Sequence, residues 1–179
     1  MKRKLILNLA ISLDGYISDE NGGFDWIVGQ GNNELDTADQ IDFFEFIKEC
    51  DTVIMGKKAY DDAPENSLEI YNEKKIYVIT NSEQAPAMEN VEYIKGDIVG
   101  KIKSELQSEG KSIFLYGGAD IIDMFVKEDM IDEYIVGIIP CILGKGRKLF
   151  KDNNPMIKLN LEKYSIIDGI TMLRYSKRK

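Results

Sequence analysis

"SIFLYGGADIIDMFVK", Ser112 to Lys127, decides the fold class. Its first six residues carry no charge and are mostly apolar on both faces, as expected of a strand buried inside a parallel sheet. Gly117 and Gly118 follow, then Asp120 and an apolar run with helical spacing, so the chain passes from strand to helix within two residues. A strand that feeds a helix is one half of a βαβ unit.

The same alternation extends in both directions. Strands are predicted at 4–11 ("KLILNLAI"), 52–55 ("TVIM"), 75–80 ("KIYVIT"), 91–94 ("VEYI") and 132–139 ("DEYIVGII"). Between them, Ile41, Phe44 and Ile47 recur at three-residue intervals, widened by Phe43, Phe46 and Cys50, which predicts a helix over 35–49. Ile98, Ile102 and Leu106 predict another over 97–109, with Asp97 as N-cap and Gly110 just past the end. These units imply an α/β, three-layer domain with a mainly parallel central sheet.

The carboxyl end differs. "LNLEKYSII" and "ITMLRYS" flank Asp168-Gly169, the dipeptide of a two-residue hairpin, and predict a closing antiparallel pair. Asp14-Gly15 has the same dipeptide but leads into "YISDENGGFDW", a polar loop with no immediate return strand. Residues 18–34, 61–74 and 82–90 show no periodicity and read as loops, the places where α/β sheets bind ligands.

A length of 179 residues suits one domain spanning 1–179. A net charge of -8, with acids spread along the chain, argues against an extended nucleic-acid surface. No apolar run is long enough for a bilayer, and "MKRK" before the first apolar stretch is expected to begin a strand, not a signal peptide. Neither nucleic acid nor membrane is therefore an expected partner. Cys50 and Cys141 lack metal-type spacing and are expected as reduced core residues, which suits the cytoplasm. Histidine is absent, so Ser-His-Asp and Cys-His schemes and every histidine metal site are excluded. No metal site is expected.

Four strand ends have anion-binding or close-approach character. In "VIMGKKAYDD", Gly56 precedes Lys57 and Lys58 at the start of a short helix, which suits a phosphate or, equally simply, a solvated turn. The lysines of "GKGRK" offer a second small anionic site. In "YVITNSEQ", Thr80, Asn81 and Ser82 offer short donors to a ribose, or merely end a strand. Gly117-Gly118 lets backbone approach a pyrophosphate, although the spacing is not G-x-G-x-x-G. The fourth is "SLDGYIS", where Asp14 either assists a proton transfer or accepts backbone N–H groups to shape its loop.

"LAISLDGYIS", "GGFDW", "VIMGKKAYDD", "YVITNS", "FLYGGADIID" and "IIPCILGKGRKLF" come in the order and spacing of the dihydrofolate reductase superfamily. The chain most resembles the branch with the carboxyl-terminal reductase domain of bacterial riboflavin biosynthesis proteins. The resemblance implies a dihydrofolate reductase-like fold, NADPH as hydride donor, a homodimer, and reduction of a C=N or C=O in a pterin- or pyrimidine-like molecule. A 5-amino-6-(5-phosphoribosylamino)uracil reductase-like activity is the leading form, and a dimeric NADP-binding protein with little turnover is the alternative. It further implies that Ala10 and Ile11 meet the nicotinamide, that Trp26 lies beside the cofactor, that Gly56, Lys57 and Lys58 hold its phosphate, and that Asp62 is among the cofactor-binding residues. Thr80, Asn81 and Ser82 would line the adenosine ribose and its 2'-phosphate, and Gly117, Gly118, Ala119, Asp120 and Ile121 the pyrophosphate. On the substrate side the chain departs from the riboflavin-pathway pattern, with Asn8 in place of a lysine and Tyr116 in place of an acid. Asp36, Asp39 and Asp42 approximate the helix carboxylate of dihydrofolate reductases, or form a solvated face.

Overall fold

The first strand, β1 (Leu5–Ser12), is the centre from which the fold is built. The computed structural model describes residues 2–64, 67–82 and 88–178, so parts of the loops expected at 61–74 and 82–90 lie outside the described residues. Seven further strands share a sheet with β1: β3 (Cys50–Gly56), β4 (Lys75–Ile79), β5 (Val91–Ile94), β6 (Ser112–Gly117), β7 (Glu133–Ile139), β9 (Leu159–Ile167) and β10 (Ile170–Lys177). Their order is β5-β4-β3-β6-β1-β7-β10-β9. The six from β5 to β7 run parallel, with registers such as Leu7↔Leu115 and Asn8↔Ile135, and β10 pairs antiparallel with both β7 and β9. The mainly parallel sheet with an antiparallel closing hairpin is the one expected from the sequence.

Alternation along β1 assigns its two faces. Leu5 and Leu7 pack with Ile122 and Phe125 of α4 (Ala119–Lys127) and with Ile102 of α3 (Ile98–Glu105). Ile6 packs on the other face with Phe46 and Ile47 of α1 (Phe43–Lys48). The sheet is therefore the middle of three layers. Each fully buried Leu or Ile contributes roughly 1.5–3 kcal/mol through lost apolar surface.

The helix predicted over 35–49 is much shorter, and its polar half does something else. The Thr37 N–H donates to the Ile166 carbonyl at 3.0 Å, Ile41 N–H donates to Ser165 Oγ at 3.0 Å, and the Asp168 N–H donates to Asp36. Residues 36–41 thus supply partners to the outer edge of β9, an edge that needs cover, and Asp42 caps α1 by accepting from the Glu45 N–H. The helix predicted over 97–109 also ends early, at Glu105, whose carboxylate is drawn to Arg3 and Tyr77. Asp97 is its N-cap as expected, whereas Gly110 lies several residues beyond its end.

The segment after Asp14-Gly15 is a strand after all. β2 (Tyr16–Ser18) pairs antiparallel with β8 (Arg147–Lys148), a partner too distant in sequence for a local reading to find. Asp168 and Gly169 both have positive φ, 49° and 76°, as a two-residue turn of the predicted hairpin requires. Cys50 is buried, but Cys141 is only half-buried because it lies in the turn after β7, where its carbonyl accepts from the Leu13 N–H.

Candidate active site

A cleft of about 1500 Å³ opens across β1, the ends of β3 and β6, and the elements that follow them. It exceeds the roughly 300–1,000 Å³ of an ordinary single-ligand pocket, which leaves room for two small molecules together. Its lining divides by chemistry. One part holds glycine turns, a helix start and cations, and the other holds aromatic and aliphatic side chains.

The polar part begins where β6 turns into α4. The Gly117-Gly118 peptide bond is cis. Gly118 is the N-cap of α4 without any side-chain cap, and a Cβ added there would meet no protein atom within 4 Å. The Ala119 and Asp120 N–H groups make no backbone hydrogen bond among the described residues, the first intrahelical bonds being those of Ile121 and Ile122 to the Gly118 carbonyl. Free donors at a helix start, with the positive end of the helix dipole, form a place for an anion. Gly56 faces this turn from β3. A Cβ there would come within 3.2 Å of Ile121 Cγ1, a tight contact that would press on that side chain, and 3.9 Å of the Gly117 carbonyl and Gly118 nitrogen, an ordinary van der Waals distance.

Cations surround the turn. Lys57 and Lys58 open α2 (Lys57–Asp61) and are paired four residues on with Asp61 and Asp62, the latter pair at 2.5 Å. The hydrogen bond that Lys57 donates to Asp61 holds its ammonium above the ordinary pKa, so it stays charged. Lys151 pairs with Asp120, offsetting a carboxylate that would otherwise repel an anion at the start of α4. Arg147 and Lys148 also line the cleft and form no ion pair among the described residues. The sequence reading placed an anion site at "GKGRK" in general terms but did not single out these two, because the β2–β8 pairing that turns them toward the cleft is nonlocal.

The apolar part is built on α1, β6 and β10. Phe43 packs on Phe114 with ring centroids 6.1 Å apart, Phe114 on Tyr116 at 5.8 Å, and Tyr116 on Tyr71 at 6.4 Å, all near edge-to-face. Ile41, Phe44, Ile170 and Met172 complete it. Burial pushes the Tyr71 and Tyr116 phenols above their ordinary range. Of these residues only Tyr116 stood out in the sequence, although the two-residue period of "SIFLYG" already puts Phe114 and Tyr116 on one face.

Of the expected cofactor residues, Ala10, Gly56, Lys57, Lys58, Asp62, Gly118, Ala119, Asp120 and Ile121 line the cleft. Gly117 supports the turn without lining it. Ile11 packs against the α4-side core, and Trp26 donates its indole N–H to the Gly23 carbonyl at 3.2 Å while its neighbours Phe24 and Ile27 line the cleft. Thr80 is buried, with Oγ1 accepting from the Ser82 N–H at 3.1 Å, and Asn81 and Ser82 are exposed beside it. None of these three is among the lining residues.

Asp14 lies outside the cleft with both carboxylate oxygens engaged. It accepts from Ser12 Oγ at 2.6 Å, Leu143 N–H at 3.1 Å and Gly144 N–H at 2.7 Å. The Ser12 hydroxyl, aided by these N–H groups, holds its carboxyl below the ordinary range against the opposing effect of desolvation. A carboxylate so held ties the 141–148 loop to the end of β1 and is a poor proton donor. The three helix-acid candidates are likewise engaged: Asp36 with the Asp168 N–H, Asp39 with Lys163 at 2.7 Å, and Asp42 as the α1 cap. No group of metal-ligating side chains occurs among the described residues.

Comparison with known proteins agrees with this architecture. The model of the RibD C-terminal domain family matches residues 3–86 and 61–171. The uncharacterized protein YwjB of Bacillus subtilis (strain 168) is 34% identical over 166 residues, covering 90% of this chain and 91% of its own. A diaminohydroxyphosphoribosylaminopyrimidine deaminase/5-amino-6-(5-phosphoribosylamino)uracil reductase of Thermotoga maritima superposes with TM-score 0.71 at 19% identity, over 99% of this chain and 57% of that one. Dihydrofolate reductase of Enterococcus faecalis, solved with NADP(H), superposes with TM-score 0.66 at 13% identity, over 100% and 99%. At such identities the structural likeness establishes the fold, which is dihydrofolate reductase-like.

Proposed function

The chain belongs to the RibD C-terminal domain family, and from that premise we propose that it is a cytoplasmic NADPH-dependent reductase acting on a C=N or C=O of a pterin- or pyrimidine-like molecule. The observation that carries the reading is the uncapped start of α4 opening on a cleft large enough for a cofactor and an acceptor together. When bound there, NADPH supplies the hydride.

The residues present fit that cofactor. The Ala119 and Asp120 N–H groups would receive the diphosphate, with Gly118 and Gly56 keeping side chains out of its way. Lys57, Lys58, Arg147 and Lys148 would supply positive charge for a further phosphate. Ala10, at the cleft end of β1, would present backbone to the nicotinamide, and the expected ribose contacts of Thr80, Asn81 and Ser82 belong to the same reading. The aromatic part would hold a flat acceptor against the nicotinamide, so that orientation supplies much of the rate. Asp14 is given the loop-anchoring role, and the proton for the accepting heteroatom comes from water entering the cleft.

Two free cysteines suit a reducing compartment. The exposed Leu161, Tyr164 and Ile167 of β9 support the homodimer. The reading is tested by titrating the protein with NADPH, following cofactor fluorescence, and then monitoring loss of 340-nm absorbance with a panel of pterins, pyrimidines and quinones. Saturable binding followed by oxidation with at least one acceptor is expected. Binding without oxidation by any of them would favour a nucleotide-binding protein with little turnover, and no binding would refute the cofactor assignment.

A further inference from the structure

We infer that the acceptor is an uncharged, phosphate-free planar heterocycle, seated in the aromatic part of the cleft and hydrogen-bonded by Asn8 and Tyr116. The inference deepens the reductase reading and rests on it for calling that ligand an acceptor.

Asn8 is the anchor. It lies in the central strand, is 8% exposed, and lines the cleft, yet its amide makes no hydrogen bond among the described residues. The amide is open to the cleft and is not among the fully buried side-chain atoms that lack a partner, which among the described residues are Asp123 Oδ1 and Asn154 Oδ1, so its donor and acceptor are available to a ligand there. The side-chain alternation of β1 puts Asn8 on the face of Ile6, which packs in the cluster of Phe46 and Phe114. The neighbouring strand β6 carries Tyr116 on the face of Phe114. The β1–β6 register of Leu7↔Leu115 sets Asn8 and Tyr116 on adjacent strands one position further along.

Tyr116 offers the second polar group. Its ring is wedged between Phe114 and Tyr71, and its hydroxyl makes no hydrogen bond among the described residues. Burial keeps that hydroxyl protonated, so it remains a donor. Asn8 brings a donor and an acceptor on one planar amide, which matches the lactam or amidine edge of a heterocycle. The rings of Phe43, Phe114 and Tyr71 supply apolar walls for its faces.

Charge excludes the alternative. Among the described residues, every charged residue lining the cleft lies on α2 or its C-cap, on β8 and the turn after it, or on α4. None lies on β1, β6, β10 or α1. A phosphate entering the aromatic part would lose its water with no cation to replace it. A neutral ring loses little and gains the two unpaired groups.

The test is calorimetry on the full chain in the presence of NADP+, with lumazine and riboflavin as neutral rings and flavin mononucleotide as the phosphorylated match of riboflavin. Lumazine or riboflavin is expected to bind, with flavin mononucleotide no tighter than riboflavin. Asn8→Ala and Tyr116→Phe should each weaken that binding by about three- to tenfold, the range for losing one neutral hydrogen bond, without changing NADPH affinity. Asn8→Leu should bind the ring no better than Asn8→Ala while unfolding at the wild-type temperature or above, since no internal partner is lost. That result separates a ligand-facing amide from a structural one. Tighter binding of flavin mononucleotide than of riboflavin, unchanged affinity in both Asn8 variants, or no neutral ring bound by a protein that does bind NADPH would each overturn the inference. Ring binding through Asn8 in a protein that fails to bind NADPH would refute the cofactor assignment and leave the pocket as described.

Discussion

Replacing Lys57 and Lys58 together with alanine should separate ligand binding from folding. Both lysines sit on a solvent-facing helix, with side chains 27% and 62% exposed, in pairs with Asp61 and Asp62 that are 48% and 54% exposed. Pairs of this kind contribute about 0.3–0.5 kcal/mol each, and alanine is the better helix former. The double variant should therefore lose less than about 1 kcal/mol, or under about 4 °C in unfolding temperature for a chain of this length. A phosphate held by an ammonium loses more, because hydrogen bonds to charged groups are worth about 1.5–3 kcal/mol each. Discounting by half for solvent exposure leaves about 2 kcal/mol for the two lysines, or about thirtyfold in NADPH affinity. Asp61→Asn should act in the opposite sense, freeing Lys57 from its competitor and tightening NADPH by about twofold. Fluorescence titration at low and high salt measures all three proteins, and the gap between wild type and the double variant should narrow as salt screens it. An affinity of the double variant within about twofold of wild type would refute the phosphate assignment of α2.

Other consequences lie farther from the cofactor. Arg3 is buried and binds Asp51, Glu105, Thr52, Ser108 and the Lys111 carbonyl at the end of the sheet opposite the cleft, so Arg3→Met should cost about 3–5 kcal/mol. Calorimetric unfolding should show a drop of about 10 °C with NADPH affinity intact, and a drop under about 3 °C would contradict the network's importance. Burial alone would raise the Glu133 carboxyl, but Lys4 and Arg174 outweigh it and hold the group below its ordinary 4.5. Its stabilising contribution is therefore complete above that pH and is lost as acid takes the pH through the lower folded value. Glu133→Gln should lower stability at neutral pH and flatten the acid limb of a pH–stability curve, and an unchanged slope would count against the network. Asp14→Ala should lower the unfolding temperature and expose residues 141–148 to protease without altering the pH dependence of NADPH oxidation. A wild-type rate that falls as pH rises through the Asp14 pKa, with that fall absent in Asp14→Ala, would return a proton-donor role to Asp14.

The parallel sheet was legible because its strands are continuous apolar runs, and "SIFLYGGADIIDMFVK" alone carried the strand, the turn and the start of α4. The hairpin at Asp168-Gly169 was legible because both residues need positive φ, which that dipeptide supplies. What periodicity hid were features with distant partners. The apolar spacing near residue 41 suggested a long helix, yet the hydrogen-bonding groups of Asp36, Thr37 and Gln40 are spent on β9 and its turn more than a hundred residues away. Asp14-Gly15 pointed toward the site for the same reason. Its carboxylate partners, Leu143 and Gly144, cannot be inferred from neighbouring residues, and they make Asp14 an anchor of the loop that carries Arg147 and Lys148 toward the cleft. The glycine turns and lysines that line one part of the cleft were legible in the sequence, whereas the aromatic part needed α1, β6 and β10 to be brought together.

The proposed reductase function requires the α4 turn to bind the diphosphate of NADPH, with Ala10 beside the nicotinamide. A crystal structure of the NADPH complex would locate both groups. The diphosphate is expected within hydrogen-bonding distance of the Ala119 and Asp120 N–H groups and the nicotinamide against the Ala10 backbone, its open face toward Asn8 and Tyr116. NADPH bound elsewhere, or a cleft that stays empty of it at saturating concentration, would contradict that requirement.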